Sequence, residues 1–330
     1  MTSVDVHAHL VPTAAFSRLP RGLRANPIPD RDEIGLEVEG RGAGRGAPPP
    51  LRELDLHRRR QATRGVDVSL VGPWIDMVKA PLDPAVQHAW CQVLNDELAA
   101  VTKGSGHSRF LAALPDLDGG RAAEELERAL ALGAVGALMA ANPEEGNLDR
   151  DDFEPLWRAA ERLGRPVVLH PGEFAPPPRL AAHFMVNLVG NPFETTLAVG
   201  CLAGAGVPER HPDLRLVLVH GGGFLPYQYG RMTAGFQRWP ALAPLRRRPP
   251  ADLLRWFHYD TVLFDDPPTR YLLDLVGDDR VLAGSDCPFT MSDHRPWERP
   301  ASLGLDGAAA GRVLGGNAIR LFGLDVPSPV

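Results

Sequence analysis

Short apolar runs alternate with longer amphipathic stretches along almost the whole chain, and this alternation restricts the fold more than any other feature. Eight β-rich runs stand out: Val4–His9, Val66–Val71, Arg109–Leu114, Val135–Ala140, Pro166–Pro171, Leu214–Gly221, Tyr259–Asp265 and Val281–Asp286. Between them, segments such as 85–101, 120–133 and 153–164 carry apolar residues at i, i+3, i+4 and i+7, as one face of a helix does. Asp118 and Asp152 stand where helix caps are expected. Several runs are apolar almost throughout, as parallel strands buried on both faces are. Eight strand–helix units predict a distorted (β/α)8 TIM barrel, with a doubly wound open sheet as the rival. The 330 residues, 44% of them hydrophobic, suffice for one such domain over 1–330.

One stretch breaks the rhythm. Residues 12–50 are rich in Pro, Gly and Arg and end in GRGAGRGAPPP. They follow the first strand, which in a barrel puts them on the face where active sites form, so they read as an insertion or lid. The VPSPV end reads as frayed.

Polar residues cluster at the strand ends. The first strand, VDVHAH, alternates, with Val4, Val6 and Ala8 on one face and Asp5, His7 and His9 on the other. The fifth run ends in His170, the sixth in His220 and the eighth in Asp286. In a closed barrel these ends meet at one mouth. Three imidazoles and a carboxylate form a set that suits Zn²⁺, with Mn²⁺ as the alternative, and leave a coordination position open. His220 is then either a further ligand or a free acid–base beside the metal; the free role keeps the open position that catalysis needs.

The combination of HxH, the two later histidines and the last aspartate resembles the amidohydrolase superfamily. HPDLRLVLVHGGG (211–223), VHGGGFLPYQYGRM (219–232), GSDCPF (284–289) and GNPFETTLA (190–198) narrow the likeness. They resemble the branch named for α-amino-β-carboxymuconate-ε-semialdehyde decarboxylase. The resemblance implies one divalent metal ion per chain, held by His7, His9, His170 and Asp286, with His220 catalytic and no organic cofactor. VGALMAANP at strand four supports a single ion independently, because it ends in no Lys, Glu or His that could bridge a second; Glu144 and Glu145 read as solvated. The family's two arginines fall on Arg45, in the insertion, and on Arg231. Gly172-Glu173 and Asn187 depart from the family's aromatic positions, so the substrate is expected to differ. Phe174, Phe184, Asn187 and Phe289 are the expected pocket.

These readings predict a metal-dependent, non-oxidative decarboxylase of a small unsaturated or aromatic carboxylic acid. The alternative is a hydrolase or hydratase on the same scaffold. The formal net charge of −6 argues against nucleic acid as partner, and the absence of a long apolar run argues against a membrane. Three widely spaced cysteines and no secretory leader predict a cytoplasmic protein. Arg231 stands eleven positions past His220, too far to share its strand end. With the family's behaviour, this predicts a homodimer in which Arg231 reaches the partner's active site.

Overall fold

The computed structural model describes residues 2–38, 43–79, 82–172, 177–240 and 250–326. The expectations on Phe174 and on the terminal residues 327–330 lie outside the described residues, as does the side chain of Arg45. Among the described residues there are eleven strands: β1 Val4–His9, β2 Leu23–Pro27, β3 Ile34–Val38, β4 Ala43–Ala47, β5 Val68–Gly72, β6 Ser108–Ala113, β7 Gly136–Ala140, β8 Val167–His170, β9 Leu216–Leu218, β10 His258–Asp260 and β11 Val281–Leu282. Eight of them form one parallel sheet in the order β1-β5-β6-β7-β8-β9-β10-β11. The sheet curls until its edges meet: Ala8 pairs with Cys287, and Val6, His9 and Asp286 exchange backbone hydrogen bonds across the seam. This is the expected barrel with its surrounding helices.

Two apolar clusters follow from alternation along these strands. Val68, Leu70, Leu111, Leu138, Val168, Val217 and Leu282 point inward and fill the barrel. Val71, Phe110, Met139, Leu169, Leu218 and Val281 point outward onto helix residues such as Leu98, Leu126, Trp157 and Leu202. Asp118 caps the helix Gly119–Ala131 by accepting the Arg121 N–H, as expected. Asp152 caps nothing. Its residues 151–153 form a 3-10 turn, and its carboxylate is held by the Arg150 guanidinium instead.

The last three strands stop earlier than the sequence predicts. His220, Phe264 and Asp286 all take left-handed backbone angles, with φ of 54°, 65° and 60°. They follow the last strand residues Leu218, Asp260 and Leu282, where the backbone has already left the regular pleat. The insertion also holds more structure than its composition suggests. β2, β3 and β4 form an antiparallel sheet whose Leu23, Leu36 and Ala47 are buried. Ile34, Leu36 and Val38 do alternate with Gly35 and Glu37, a signal masked by the Gly- and Arg-rich sequence that follows.

Candidate metal centre

The plain alternation expected of β1 does not hold. Asp5 pairs with Ser69 but Ala8 with Val71, so β1 carries one extra residue between them. A bulge of this kind turns the following side chains to the opposite face. Val4 and Val6 therefore sit in the barrel interior, whereas Ala8 joins the outer strand–helix cluster. Asp5 parts company with the histidines and binds Gln61, Ser285 and the His7 N–H. Burial raises its carboxyl to about 6. His7 and His9 both swing to the mouth.

There the strand ends converge. One ligand atom from each of His7, His170, His220 and Asp286 lies within 4.8 Å of all the others. His9 stands beside them, its Nε2 3.2 Å from Asp286 Oδ1. His7 Nε2 is 3.3 Å from the same oxygen, and His220 Nε2 is 3.5 Å from Asp286 Oδ2. His220 thus lies within the same cluster as the expected ligands, and His9 is nearer to Asp286 than His220 is.

What separates His220 from the others is its second nitrogen. His7 Nδ1 is 2.6 Å from Asp260 Oδ2, His9 Nδ1 is 3.0 Å from the Pro73 carbonyl, and His170 Nδ1 is 2.7 Å from the Pro171 carbonyl. Oxygen partners require Nδ1–H, which leaves the Nε2 lone pair free in all three rings. Nε2 of His7, His9 and His170 and Oδ1 of Asp286 are buried and make no hydrogen bond. Four orphaned polar atoms at one point would be costly without a shared partner. A divalent cation is the partner that three imidazole lone pairs and a carboxylate fit. His220 Nδ1 is likewise buried but tied to nothing, unlike Nδ1 of the other three rings.

The centre attracts positive charge. Burial alone would depress the His7 ring, but the Asp286 carboxylate and the Asp260 hydrogen bond outweigh it and push it up to about 10. Asp286 is held well below the usual carboxylate range: burial opposes this, and the His7 charge with the close-lying rings of His220, His7 and His9 overrides it. Burial, then the neighbouring His9 and His7, hold His170 far below its ordinary value.

Around this centre, Phe289 packs its ring 5.1 Å from that of His9 and 6.1 Å from that of Trp74. Asn187 is half-buried in a π-helical turn, Val186–Gly190. Phe184 is 83% exposed and so is no pocket wall within this chain. Arg231 is exposed on the helix Leu225–Arg238. Glu144 is not simply solvated: it accepts from the buried Lys79 Nζ at 2.9 Å. Glu145 is exposed. Asp260 was not singled out by sequence reasoning. It stands inside the run YDTVLFD, and only its position at the end of β10 could have marked it.

A family model described as amidohydrolase matches residues 4–324. The chain is 33% identical over 239 residues to 2-amino-3-carboxymuconate-6-semialdehyde decarboxylase of Dictyostelium discoideum. That alignment covers 71% of this chain and 66% of the relative, just under two thirds of its length. It is 27% identical over 304 residues to 6-methylsalicylic acid decarboxylase of Penicillium expansum, covering 89% and 87%. Among solved structures, apo IDCase of Metarhizium anisopliae superposes with a TM-score of 0.84 at 23% identity, covering 97% of each chain. A dihydroxybenzoic acid decarboxylase from Polaromonas, bound to manganese and 2-nitroresorcinol, does so with a TM-score of 0.78 at 24% identity, covering 98% and 97%.

Proposed function

Because the chain belongs to the amidohydrolase family, in the branch of the carboxymuconate-semialdehyde decarboxylases, we propose that it is a metal-dependent, non-oxidative decarboxylase of a small aromatic or unsaturated carboxylic acid. One observation carries this reading: four buried, unpartnered ligand atoms converge on a point at the barrel mouth beside a histidine whose Nδ1 has no partner. Relatives named as decarboxylases of aromatic acids support the reaction class.

His7, His9, His170 and Asp286 would hold the ion, Zn²⁺ by ligand type, although Mn²⁺ is the metal bound in a structural neighbour. When bound, it supplies a Lewis acid that can withdraw charge from a substrate oxygen next to the departing group. The protein's own residues do the rest. Phe289, against His9 and Trp74, offers a flat wall for an unsaturated ring. The carbon–carbon bond to the carboxylate breaks with its electron pair left on the substrate carbon, and CO2 departs. His220 delivers the proton that this carbon takes up.

In this reading, Arg231 serves a second copy of the chain. Tyr227, four residues before it on the same helix, is 80% exposed, and Phe224 and Trp239 are exposed at the helix ends. Phe193 and Leu197, on the packed neighbour helix Asn191–Gly204, are exposed too. An apolar face of this kind is suited to a homodimer, and its docking would carry Arg231 toward the partner's mouth to pair with a substrate carboxylate. Arg45 is assigned a similar task from the insertion. The unpaired cysteines Cys91, Cys201 and Cys287 fit a reducing cytoplasm, and no helix among the described residues is long and apolar enough to cross a membrane.

The test is a panel of hydroxybenzoates, carboxylated enals and cyclic lactones, followed by product mass and evolved CO2. A decarboxylase yields a product lighter by CO2. In D2O that product carries deuterium at the carbon that lost the carboxylate. A product heavier by one water, without CO2, overturns the reading in favour of a hydrolase or hydratase.

A further inference from the structure

Asp260 ends β10 fully buried, and both of its oxygens are occupied. Oδ2 lies 2.6 Å from His7 Nδ1. Oδ1 accepts the backbone N–H of Gly221 at 2.9 Å and that of Val262 at 3.1 Å. Gly284 makes this approach feasible: a Cβ there would stand 3.0 Å from His7 Cβ and 3.1 Å from Asp260 Cβ. One carboxylate thus ties the ring of a ligand on β1 to the peptide that follows His220, between β9 and the next helix. That peptide is in an unusual place. His220 and Gly221 take left-handed angles in succession, φ 54° and 60°, and the Gly221 N–H is a buried donor that needs a partner to stay there.

We infer that Asp260 is a positioning residue with two tasks: it keeps the His7 proton on Nδ1, so that Nε2 faces the metal, and it holds the left-handed turn that aims His220 into the same centre. The inference rests on the metal reading above. It adds that ligand and proton carrier are set by one side chain.

The two oxygens allow the tasks to be separated. In Asp260→Asn, the amide oxygen can stay on Gly221 while the amide NH2 faces His7 Nδ1. Donor then faces donor, which drives the ring proton to Nε2 and turns an N–H toward the metal. Zinc affinity, measured by competition with a fluorescent chelator, should fall by about 10- to 100-fold. Protection of the Gly221 amide from hydrogen exchange should persist. Asp260→Ala should lose both. Thermal unfolding of each variant, followed alongside, shows whether a general loss of stability accounts for the changes. In the zinc-loaded natural protein the His7 Nδ1 proton should give a low-field, slowly exchanging NMR signal, absent from Asp260→Asn. This measurement decides the first task even if the Ala variant does not fold, and Gly221 protection in the natural protein decides the second. Zinc binding by Asp260→Asn equal to that of the natural protein overturns the first task. An unprotected Gly221 in the natural protein, or one equally protected in a folded Ala variant, overturns the second. If the natural protein takes up neither zinc nor manganese, the metal reading fails and this inference fails with it; if it binds either, the same measurements are made with that ion and a negative result falls on Asp260 alone.

Discussion

A histidine ring presents two nitrogens, and what the inner one touches decides what the outer one can do. In His170, the Pro171 carbonyl holds Nδ1 and leaves Nε2 buried and free at the centre. Replacing His170 with Ala should therefore yield protein that purifies with well under one divalent ion per chain, as read by elemental analysis; full metal retention would refute its assignment as a ligand. His220 has no such anchor on Nδ1. His220→Ala should keep most of the metal and lose about two to four orders of magnitude in turnover, the usual worth of a general acid–base. Metal lost in step with activity would make His220 a ligand instead. The same reasoning explains what the sequence could and could not disclose here. Polar residues at four strand ends were visible in the order of the residues. The bulge that turns His7 and His9 to the mouth was not, because an extra residue in β1 shows only in its pairing with β5.

Elements differ in how plainly their boundaries are written. The eight barrel strands were legible because each is an apolar run of the right length between helical repeats. Their ends were less so, since the apolar run continues in sequence past Leu218 to Val219 and past Leu282 to Ala283 while the regular pairing stops at Leu218 and Leu282. The helix caps give a measurable contrast. Asp118 accepts the Arg121 N–H at 3.0 Å, so Asp118→Ala should destabilise the protein by about 1 kcal/mol. Asp152, an equally good candidate by sequence, pairs with Arg150 at the surface; Asp152→Ala should stay within about 0.5 kcal/mol. Denaturant midpoints of the two variants would reverse in order if the 3-10 turn at 151–153 were in fact capped by Asp152. β2, β3 and β4 went unseen because only β3 carries clean alternation, while β4 is made of Gly, Ala and Arg.

At the level of the whole molecule, stability should depend on pH through groups far from the centre. His258 is buried, and its Nε2 accepts from Arg280 at 3.3 Å. Burial, then the Arg280 charge, lower its ring from 6.5 to about 3. The folded ring refuses a proton that the unfolded chain accepts, so stability is full above about pH 6.5 and is lost as pH falls toward 3, by on the order of 5 kcal/mol at the limit. His258→Gln, which keeps an acceptor for Arg280, should move the acid unfolding midpoint to lower pH; an unchanged midpoint would clear His258. Assembly is tested by complementation. Inactive Arg231→Ala and His220→Ala chains, unfolded and refolded together, should regain partial activity in mixed dimers, where one mouth has both natural residues. Mixed dimers that form yet stay inactive would show that Arg231 does not act across the interface.

The seam that closes the barrel also sets a timetable for biosynthesis. His7 and His9 leave the ribosome long before Asp286, which completes the proposed ligand set, and Cys287, whose carbonyl accepts the His9 N–H. A nascent chain therefore carries two imidazoles without the carboxylate or the backbone that holds them in register. Metal capture by the complete proposed ligand set must wait until Asp286 has been made, and any product terminated before Asp286 should emerge without that site.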